Sequence, residues 1–145
     1  MTNNPEILII DDNLLDVELI LVSLKNNKIS NDVLSFKDGE KSLNYLFGNG
    51  NYANRNIKNM PKFIMLSNKL QKGNSLEVLK KIKKNDQTKA IPIIMLSSTN
   101  DKDDILESYK LGANSFIIKP VEYNDFAETI CSIGRYWLSF NKTPL

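Results

Sequence analysis

The chain has 145 residues, 41% hydrophobic and 25% charged, and its 19 basic and 17 acidic side chains leave a formal net charge of only +2. These values are typical of one globular domain and give no indication of a nucleic-acid-binding surface. The sequence contains no His, which excludes a Ser-His-Asp triad, a Cys-His dyad and a His metal site. The one Cys, Cys131, excludes an internal disulfide, and its apolar-periodic surroundings predict a buried thiol.

The sequence also lacks targeting signals. Residues 1–6 have neither the basic nor the apolar region of a signal peptide. No apolar run approaches the roughly 20 residues that a membrane span requires. We therefore expect a cytoplasmic protein that binds neither membrane nor nucleic acid.

Short apolar runs alternate along the chain with longer segments of helical periodicity. Strands are predicted at residues 7–10, 33–36, 63–66, 91–96 and 115–118. A helix is predicted after each strand. The first helix is capped by residues 11–13 and ends at 26–27, the fourth spans 101–111, and the fifth runs from Val121 to about Phe140. The second and third helices are indicated by apolar side chains at helical spacing, which are Leu43, Leu46 and Phe47 in the second and Leu76, Leu79 and Ile82 in the third. Residues 38–39 are a turn signal, and the Gly- and Asn-rich stretch 48–61 predicts a long surface loop, of a length typical of functional loops.

This succession of strand and helix predicts an α/β fold, a parallel sheet with helices on both faces. We expect one domain over residues 1–145, with a core over about 5–135 and a C-terminal helix that extends to about 141. In such folds the functional site lies at the carboxyl ends of the strands, near the point where the strand order reverses. The side chains at those ends are therefore the candidates for function.

Polar side chains follow four of the predicted strands. Asp11 and Asp12 follow the first strand, and Lys119 follows the fifth. The third and fourth strands lead into residues 67–69 and 97–99, which are Ser-Asn-Lys and Ser-Ser-Thr. Two carboxylates suit a hard cation such as Mg²⁺, while hydroxyl and ammonium groups can hold phosphoryl oxygens.

The order and spacing of these pieces resemble the response-regulator receiver family, the CheY-like domains, over nearly the whole chain. The matching segments are 7–12, 38–39, 91–98, 112–120 and the helix that follows. The 48–61 loop and the Trp137-Leu138 ending are similar to single-domain receivers associated with bacterial phytochromes. The resemblance implies a flavodoxin-like fold, a doubly wound sheet of five parallel strands in the order 2-1-3-4-5. It also implies a stand-alone receiver of bacterial two-component (phosphorelay) signal transduction, and not an enzyme.

The resemblance further implies roles for individual side chains. Asp11 and Asp12 would bind magnesium together with the backbone carbonyl of Lys69. Ser97 would be the hydroxyl that reports phosphorylation, and Phe116 the aromatic switch that turns inward when Ser97 moves. After the fifth strand, Lys119 would contact the phosphoryl group, and its bond to Pro120 is often cis in this family.

The third strand departs from the family motif where the chemistry takes place. Ser67 stands where the family has its phosphoacceptor Asp, Gln71 replaces the usual Pro, and residues 74–75 replace an Asp-Gly turn. A Ser hydroxyl is a weak nucleophile at neutral pH unless a base activates it, and the chain has no His to be that base. Because a magnesium ligand is lost as well, we expect Mg²⁺ binding to be weakened and no cofactor to be required.

The same substitution removes the usual acidic neighbour of Lys119. We hypothesise that Lys119 pairs with Asp11 or Asp12, partly replaces the cation and holds the site in one state. The side chain of Lys69 adds a positive charge, which would weaken metal binding further if it points inward.

Four accounts of the function stay open. The favoured one is a degenerate, phosphorylation-independent receiver that acts through protein–protein contacts. The second is a receiver still phosphorylated on Ser67 or on a substitute such as Ser97, working as a conventional phosphorelay switch. The third is an orthodox phosphorelay protein with an engineered or strain-specific substitution, against which the several changes around Ser67 argue. The last is a small enzyme with Ser67 as nucleophile, for which neither a base nor an oxyanion-hole Gly motif is visible.

The expected partners are proteins, namely a sensor histidine kinase or another signalling protein. In the family, the surface of the fourth helix, fifth strand and fifth helix makes such contacts, and a homodimer through this face is one form they take. The candidates for this interface on the fifth helix are Tyr123, Tyr136, Trp137 and Phe140. With Phe126 they are more aromatic side chains than one helix face needs. The alternative is that all of them pack on the sheet.

Overall fold

The computed structural model describes residues 5–29 and 32–144; residues 1–4, on which the expectation of no signal peptide partly rests, lie outside the described part. The strands are β1 (Ile7–Ile10), β2 (Val33–Phe36), β3 (Phe63–Ser67), β4 (Ile93–Ser97) and β5 (Ser115–Ile118). The α-helices are α1 (Leu14–Asn26), α2 (Gly39–Phe47), α3 (Ser75–Lys84), α4 (Lys102–Lys110) and α5 (Tyr123–Arg135). A 3₁₀ turn at Gly50–Tyr52 and a π-helical turn at Tyr136–Phe140 complete the described elements.

The strands form one parallel sheet in the order β2-β1-β3-β4-β5, which confirms the predicted topology. Strand order reverses at β1, which pairs with β2 on one side and β3 on the other. All residues of β1, β3 and β4 are buried. Continuous apolar runs form these strands because helices cover both faces of the sheet.

Two apolar cores lie on opposite faces of the sheet. On one face Ile7 and Ile9 pack with side chains of α1 and α5; on the other, Leu8 and Ile10 pack with α2 and α3. This division follows from the alternation of side chains along a strand. Cys131 is free and buried, as its position in the apolar pattern predicts.

Side chains that cap the helices explain where several of them begin. Asn13 accepts a hydrogen bond from the backbone N–H of Asp16 at the start of α1. Asp38 does the same for Glu40, so the predicted turn at 38–39 is the N-terminus of α2. Its neighbour Gly39 lies against α3, where an added Cβ would be 2.6 Å from Cγ2 of Val78.

The long segment 48–61 folds back onto α2. Arg55 lies over the ring of Tyr45, with 4.0 Å between its guanidinium carbon and the ring centroid. Tyr52 packs edge-on against Tyr45, with ring centroids 5.3 Å apart. Arg55 also donates to the carbonyl oxygen of Asn59 within the segment. The expected loop is therefore held against α2 by aromatic and cationic contacts.

The C-terminal helical path runs to Phe140, as predicted, but its last turn differs from the rest. The backbone N–H of Asn141 donates to the carbonyl of Tyr136, a bond of π-helical spacing. Trp137 and Leu138 in this turn pack against the core beneath α1 and α5. None of the helices in the described part of the chain has the length and apolar composition that a membrane crossing needs.

Candidate functional site

Polar side chains from four strand ends meet at one edge of the sheet, because the strands are parallel and their carboxyl ends coincide. They line a cavity of about 120 Å³, formed by residues 11–13, 67–69, 96–99 and Lys119. The structure thus brings together the predicted site residues Asp11, Asp12, Ser67, Lys69, Ser97 and Lys119. Phe116 and Pro120 lie outside the lining of this cavity.

The two predicted metal-binding acids have different surroundings. Asp11 is 2% exposed, and its Oδ1 accepts a hydrogen bond of 2.9 Å from the backbone N–H of Asn13. Asp12 is half-buried, and its Oδ2 accepts a bond of 2.6 Å from the backbone N–H of Gln71. Both carboxylates are therefore engaged with the protein itself.

Lys119 supplies a cation inside the site. Its Nζ lies 2.9 Å from Oδ2 of Asp11 and 2.8 Å from Oδ2 of Asp16, and its side chain is 8% exposed. The hypothesised ion pair with Asp11 is present. The alternative prediction, a pair with Asp12, is wrong, because the Asp12 carboxylate instead accepts a hydrogen bond from Gln71 in the loop between β3 and α3. Burial acts to lower the pKa of Lys119, but hydrogen bonds to Asp16 and Asp11 and the charges of these groups outweigh it, so the pKa is raised.

Asp16 is a site residue that the sequence reasoning missed. It lies in the first turn of α1, where acidic residues are common because they favour the helix dipole, so its presence there carried no special signal. Its position in the sequence could have indicated a role in the site, because α1 begins just after the end of β1, where Asp11 lies.

The two predicted hydroxyl groups of the site, those of Ser67 and Ser97, are bonded to the loops that follow their strands. Ser67 Oγ donates to the carbonyl oxygen of Lys69 at 3.1 Å, while the Lys69 residue is exposed. Ser97 Oγ donates to the carbonyl of Thr99 at 2.8 Å and accepts from the Thr99 N–H at 3.1 Å. The carbonyl of Ser97 in turn accepts a bond of 2.6 Å from the N–H of Lys119. This bond joins the ends of β4 and β5 beside the cavity.

A second missed contact joins the site to α4. Nδ2 of Asn68 donates to Oδ2 of Asp104 over 3.0 Å, across 36 residues of sequence. Asn68 follows Ser67 directly and is 9% exposed. This bond joins the end of β3 to the first turn of α4.

The remaining predicted positions lie near the edge of the sheet. Phe116 is half-buried and packs against the core formed with α2 and α3. No peptide bond among the described residues is cis, so the bond between Lys119 and Pro120 is trans, unlike the form that the resemblance suggested.

The interface candidates differ in exposure. Tyr123, Tyr136 and Phe140 are 54%, 48% and 74% exposed, so the alternative that all these aromatics pack on the sheet is wrong. Trp137 is half-buried and packs on the core, and Phe126 is buried there.

Comparison with known proteins identifies the family of the chain. Residues 7–131 match the model of the response regulator receiver domain. The chain belongs to this family. Receivers are signalling proteins of two-component pathways, interact with histidine kinases or other signalling proteins, and bind Mg²⁺ or Mn²⁺ at their acidic site.

Several relatives match this receiver over nearly its whole length. Response regulator Rcp1 of Synechocystis sp. is 30% identical over 144 residues, which are 99% of this chain and 96% of Rcp1. The crystal structure of Mn²⁺-bound Rcp1 has a TM-score of 0.87 at 29% identity, covering 96% of this chain and 98% of that one. The phosphorylated cyanobacterial phytochrome response regulator RcpA has a TM-score of 0.90 at 32% identity, covering 98% and 99%. The probable methanogenesis regulatory protein FilR2 of Methanothrix harundinacea is 30% identical over 141 residues, 95% of this chain and 86% of FilR2.

Proposed function

We propose that this receiver is degenerate: Ser67 takes the place of the phosphoacceptor Asp, and the protein signals without phosphorylation, through contacts with other proteins. The observation that carries the proposal is the ion pairing of Lys119 with Asp11 and Asp16 at 2.9 and 2.8 Å. The cation that would meet an incoming phosphoryl group is thus bound to two carboxylates of the chain itself.

The surroundings of Ser67 support this proposal. The Ser67 residue is 6% exposed, and its hydroxyl already donates a hydrogen bond to the carbonyl of Lys69. To attack phosphorus it would need a base, and the sequence contains no His. The two nearby carboxylates that could take a proton, Asp11 and Asp12, already accept hydrogen bonds from Lys119 and Gln71. These contacts also speak against Ser67 as the nucleophile of an enzyme.

The residues that would hold a divalent cation fit it in type. They are Asp11, Asp12 and the carbonyl oxygen of Lys69, which are the oxygen ligands that Mg²⁺ prefers. A bound cation would supply positive charge for phosphoryl oxygens. Each of these ligands has a protein partner, however, and within residues 5–29 and 32–144 no three acidic or Cys side chains form a group that could hold a metal. We infer that metal binding is weaker than in receivers with a third carboxylate.

The surface of α4, β5 and α5 is the proposed place of contact with a signalling partner. Exposed apolar side chains lie on all three elements: Leu106 and Tyr109 are 53% and 49% exposed on α4, Ile118 is 37% exposed on β5, and Tyr123 is 54% exposed on α5. Apolar side chains exposed on adjacent elements are typical of protein interaction surfaces. Because Asn68 bonds to Asp104, this surface is joined to the site without any phosphoryl group.

The decisive experiment is incubation with acetyl phosphate and Mg²⁺, followed by intact-mass measurement. The wild-type chain is expected to gain no adduct of about 80 Da, the mass of one phosphoryl group. The matched control is Ser67→Asp, which restores a carboxylate at the end of β3 and is expected to gain the adduct.

Two results would contradict the proposal. A base-labile adduct on the wild-type chain would indicate an aspartyl phosphate elsewhere in the site. A base-stable adduct would indicate a phosphorylated Ser67 or Ser97, and the protein would then be a conventional switch with a different acceptor.

A further inference from the structure

The segment 48–61 begins with an Asn-Gly pair that is chemically reactive in principle. Asn49 is the only asparagine of the sequence that a glycine follows, namely Gly50. The backbone nitrogen of the residue after an asparagine can attack the side-chain carbonyl carbon, Cγ, because the two atoms then close a five-membered ring. A Cβ on that following residue crowds the approach, and glycine has none.

The structure leaves both reacting groups of this pair accessible. Asn49 and Gly50 are exposed. Within residues 5–29 and 32–144 the Asn49 side chain caps no turn and the Gly50 N–H donates to no acceptor. The attack requires the peptide unit between them to rotate away from the ψ of 162° at Asn49, which also changes the φ of Gly50 from +57°. A glycine permits this change at little cost.

Two other asparagines precede a small residue, but their side chains are held in place. Asn74 and Asn114 each precede a serine. Oδ1 of Asn74 accepts hydrogen bonds from two backbone N–H groups at the start of α3. Oδ1 of Asn114 accepts bonds of 2.9 Å from the N–H of Ile93 and from Nζ of Lys83. These bonds must break before either amide can turn toward the next backbone nitrogen, whereas no such bond holds the amide of Asn49.

We propose that Asn49 is a site of self-catalysed modification, which converts it to aspartate and isoaspartate. The Gly50 nitrogen gives its proton to water and forms a bond to Cγ of Asn49. The bond from Cγ to Nδ2 breaks, and ammonia leaves. One water then opens the cyclic imide: hydrolysis at the side-chain carbonyl gives aspartate, and hydrolysis at the main-chain carbonyl gives isoaspartate. One water is consumed for each ammonia released, and no oxidant or cofactor is needed.

Isoaspartate at this position loosens the segment, because it adds a methylene group to the main chain. The N–H of Asn49 donates to the carbonyl of Asn44 over 2.8 Å, and its carbonyl accepts a bond of 3.0 Å from the N–H of Tyr52. The lengthened main chain cannot keep both bonds in place. Tyr52 is also the side chain that packs edge-on against Tyr45 of α2. The reaction is therefore a slow, irreversible release of the segment from α2, and it is independent of what stands at Ser67.

Peptide mapping by mass spectrometry tests the proposal on the full chain, incubated at neutral pH and physiological temperature for days to weeks. Asn49 should progressively gain the mass difference between aspartate and asparagine, and part of the product should become a substrate of isoaspartyl methyltransferase. In urea, where Asn74 and Asn114 lose their hydrogen bonds, these two should be modified as well. The asparagines of the segment that precede bulky side chains should stay unchanged, and they are Asn51, Asn54, Asn56 and Asn59.

Two variants block the reaction in different ways. Gly50→Ala places a Cβ beside the attacking nitrogen, and room for it exists, since the nearest atom would be Nδ2 of Asn44 at 3.9 Å. Asn49→Gln would have to close a larger ring. Modification at position 49 should be lost in both. Asn51→Ser is the matched control, because it removes a neighbouring exposed amide and should leave the modification of Asn49 as in the wild type. Circular dichroism verifies that each variant keeps its fold.

Trypsin reports whether the segment is released, because Arg55 is held over the ring of Tyr45 in the intact chain. Cleavage after Arg55 should be faster in the aged, isoaspartate-containing fraction than in Asn49→Asp, which has the new charge and a normal main chain. Equal cleavage of the two would overturn the release. A folded chain that stays unmodified at Asn49 overturns the proposal, as does equally fast modification of Asn74 or Asn114 in the folded chain, or an unchanged rate in Gly50→Ala.

Discussion

Lys119 and Asp16 form a direct ion pair, with 2.8 Å between the lysine Nζ and Oδ2 of the aspartate, across 103 residues of sequence. Asp16 is on the first turn of α1, while Lys119 follows β5, so the pair joins the start of α1 to the end of β5. Asp11 completes the group from the end of β1, and it is almost fully buried. The site therefore contains a cation of its own, and this feature leads to the first three predictions.

The first prediction concerns stability. Lys119→Met leaves Asp11 buried without a cation, and loss of one partner of a buried ion pair costs about 3 kcal/mol of the free energy of unfolding. Asp16, whose side chain is 20% exposed, loses the same partner. Urea unfolding at neutral pH measures the difference. The control Lys110→Met breaks an exposed pair with Glu107 and should change stability by less than about 1 kcal/mol. Equal midpoints for Lys119→Met and wild type would contradict the prediction.

The second prediction concerns alkaline pH. The carboxylates raise the pKa of Lys119 above its ordinary value of 10.5. The folded chain therefore holds this proton more tightly than the unfolded chain does, and the stabilisation is complete below pH 10.5. It is lost as the pH rises through the higher pKa of the folded state. The difference in unfolding free energy between wild type and Lys119→Met should stay constant from neutral pH to about 10.5 and shrink above it. A difference that already shrinks between pH 7 and 9 would refute this assignment.

The third prediction concerns the metal. Because Lys119 occupies Asp11, its removal should make that carboxylate available to Mg²⁺. In thermal unfolding, about 10 mM Mg²⁺ should raise the melting temperature of Lys119→Met by several degrees and that of the wild type by much less. Lys119→Met/Asp11→Asn, which lacks the carboxylate as well, is the control and should lose the response. A wild-type response as large as that of Lys119→Met would show that the ion pair does not compete with metal.

The sequence predicted the sheet and the meeting of strand ends for one physical reason. Fully buried parallel strands must be continuous apolar runs, as in Ile7–Ile10, and their carboxyl ends must share an edge. That argument places Asp11, Ser67 and Lys119 together without any knowledge of helix packing. It does not determine which carboxylate a long, flexible side chain pairs with. For that reason the sequence left Asp12 as an alternative ion-pair partner of Lys119.

The contacts that the sequence did not predict depend on how each helix is rotated about its own axis. The contact between Asn68 and Asp104 requires α4 to turn its first side chains toward the end of β3. Asp104 also lies where an acidic side chain favours the helix dipole, so its type alone says nothing of a partner. The Asp38-Gly39 pair was similarly ambiguous, since the same two residues suit a tight turn and the start of a helix.

The fourth prediction tests the link between the site and α4. A hydrogen bond from an amide to a partly buried carboxylate contributes about 1–2 kcal/mol. In a double-mutant cycle on urea unfolding, Asn68→Ala and Asp104→Ala should therefore show a coupling of about 1 kcal/mol. Asp103→Ala removes a charge from the same turn of α4 and serves as the control partner, with a coupling to Asn68→Ala near zero. Equal couplings for Asp103 and Asp104 would mean that the contact contributes nothing.

The fifth prediction rests on Gly39, the first residue of α2. Helix propensity alone favours Ala over Gly by about 1 kcal/mol. Here, however, an added Cβ would lie 2.6 Å from Cγ2 of Val78, whose branched side chain has essentially one rotamer in a helix and cannot move aside. Gly39→Ala should therefore destabilise the fold by about 1–3 kcal/mol in urea unfolding. In a Val78→Ala background the clash is absent, so the same substitution should cost nothing or stabilise. If the cost were the same in both backgrounds, the close packing of α2 on α3 would not be its cause.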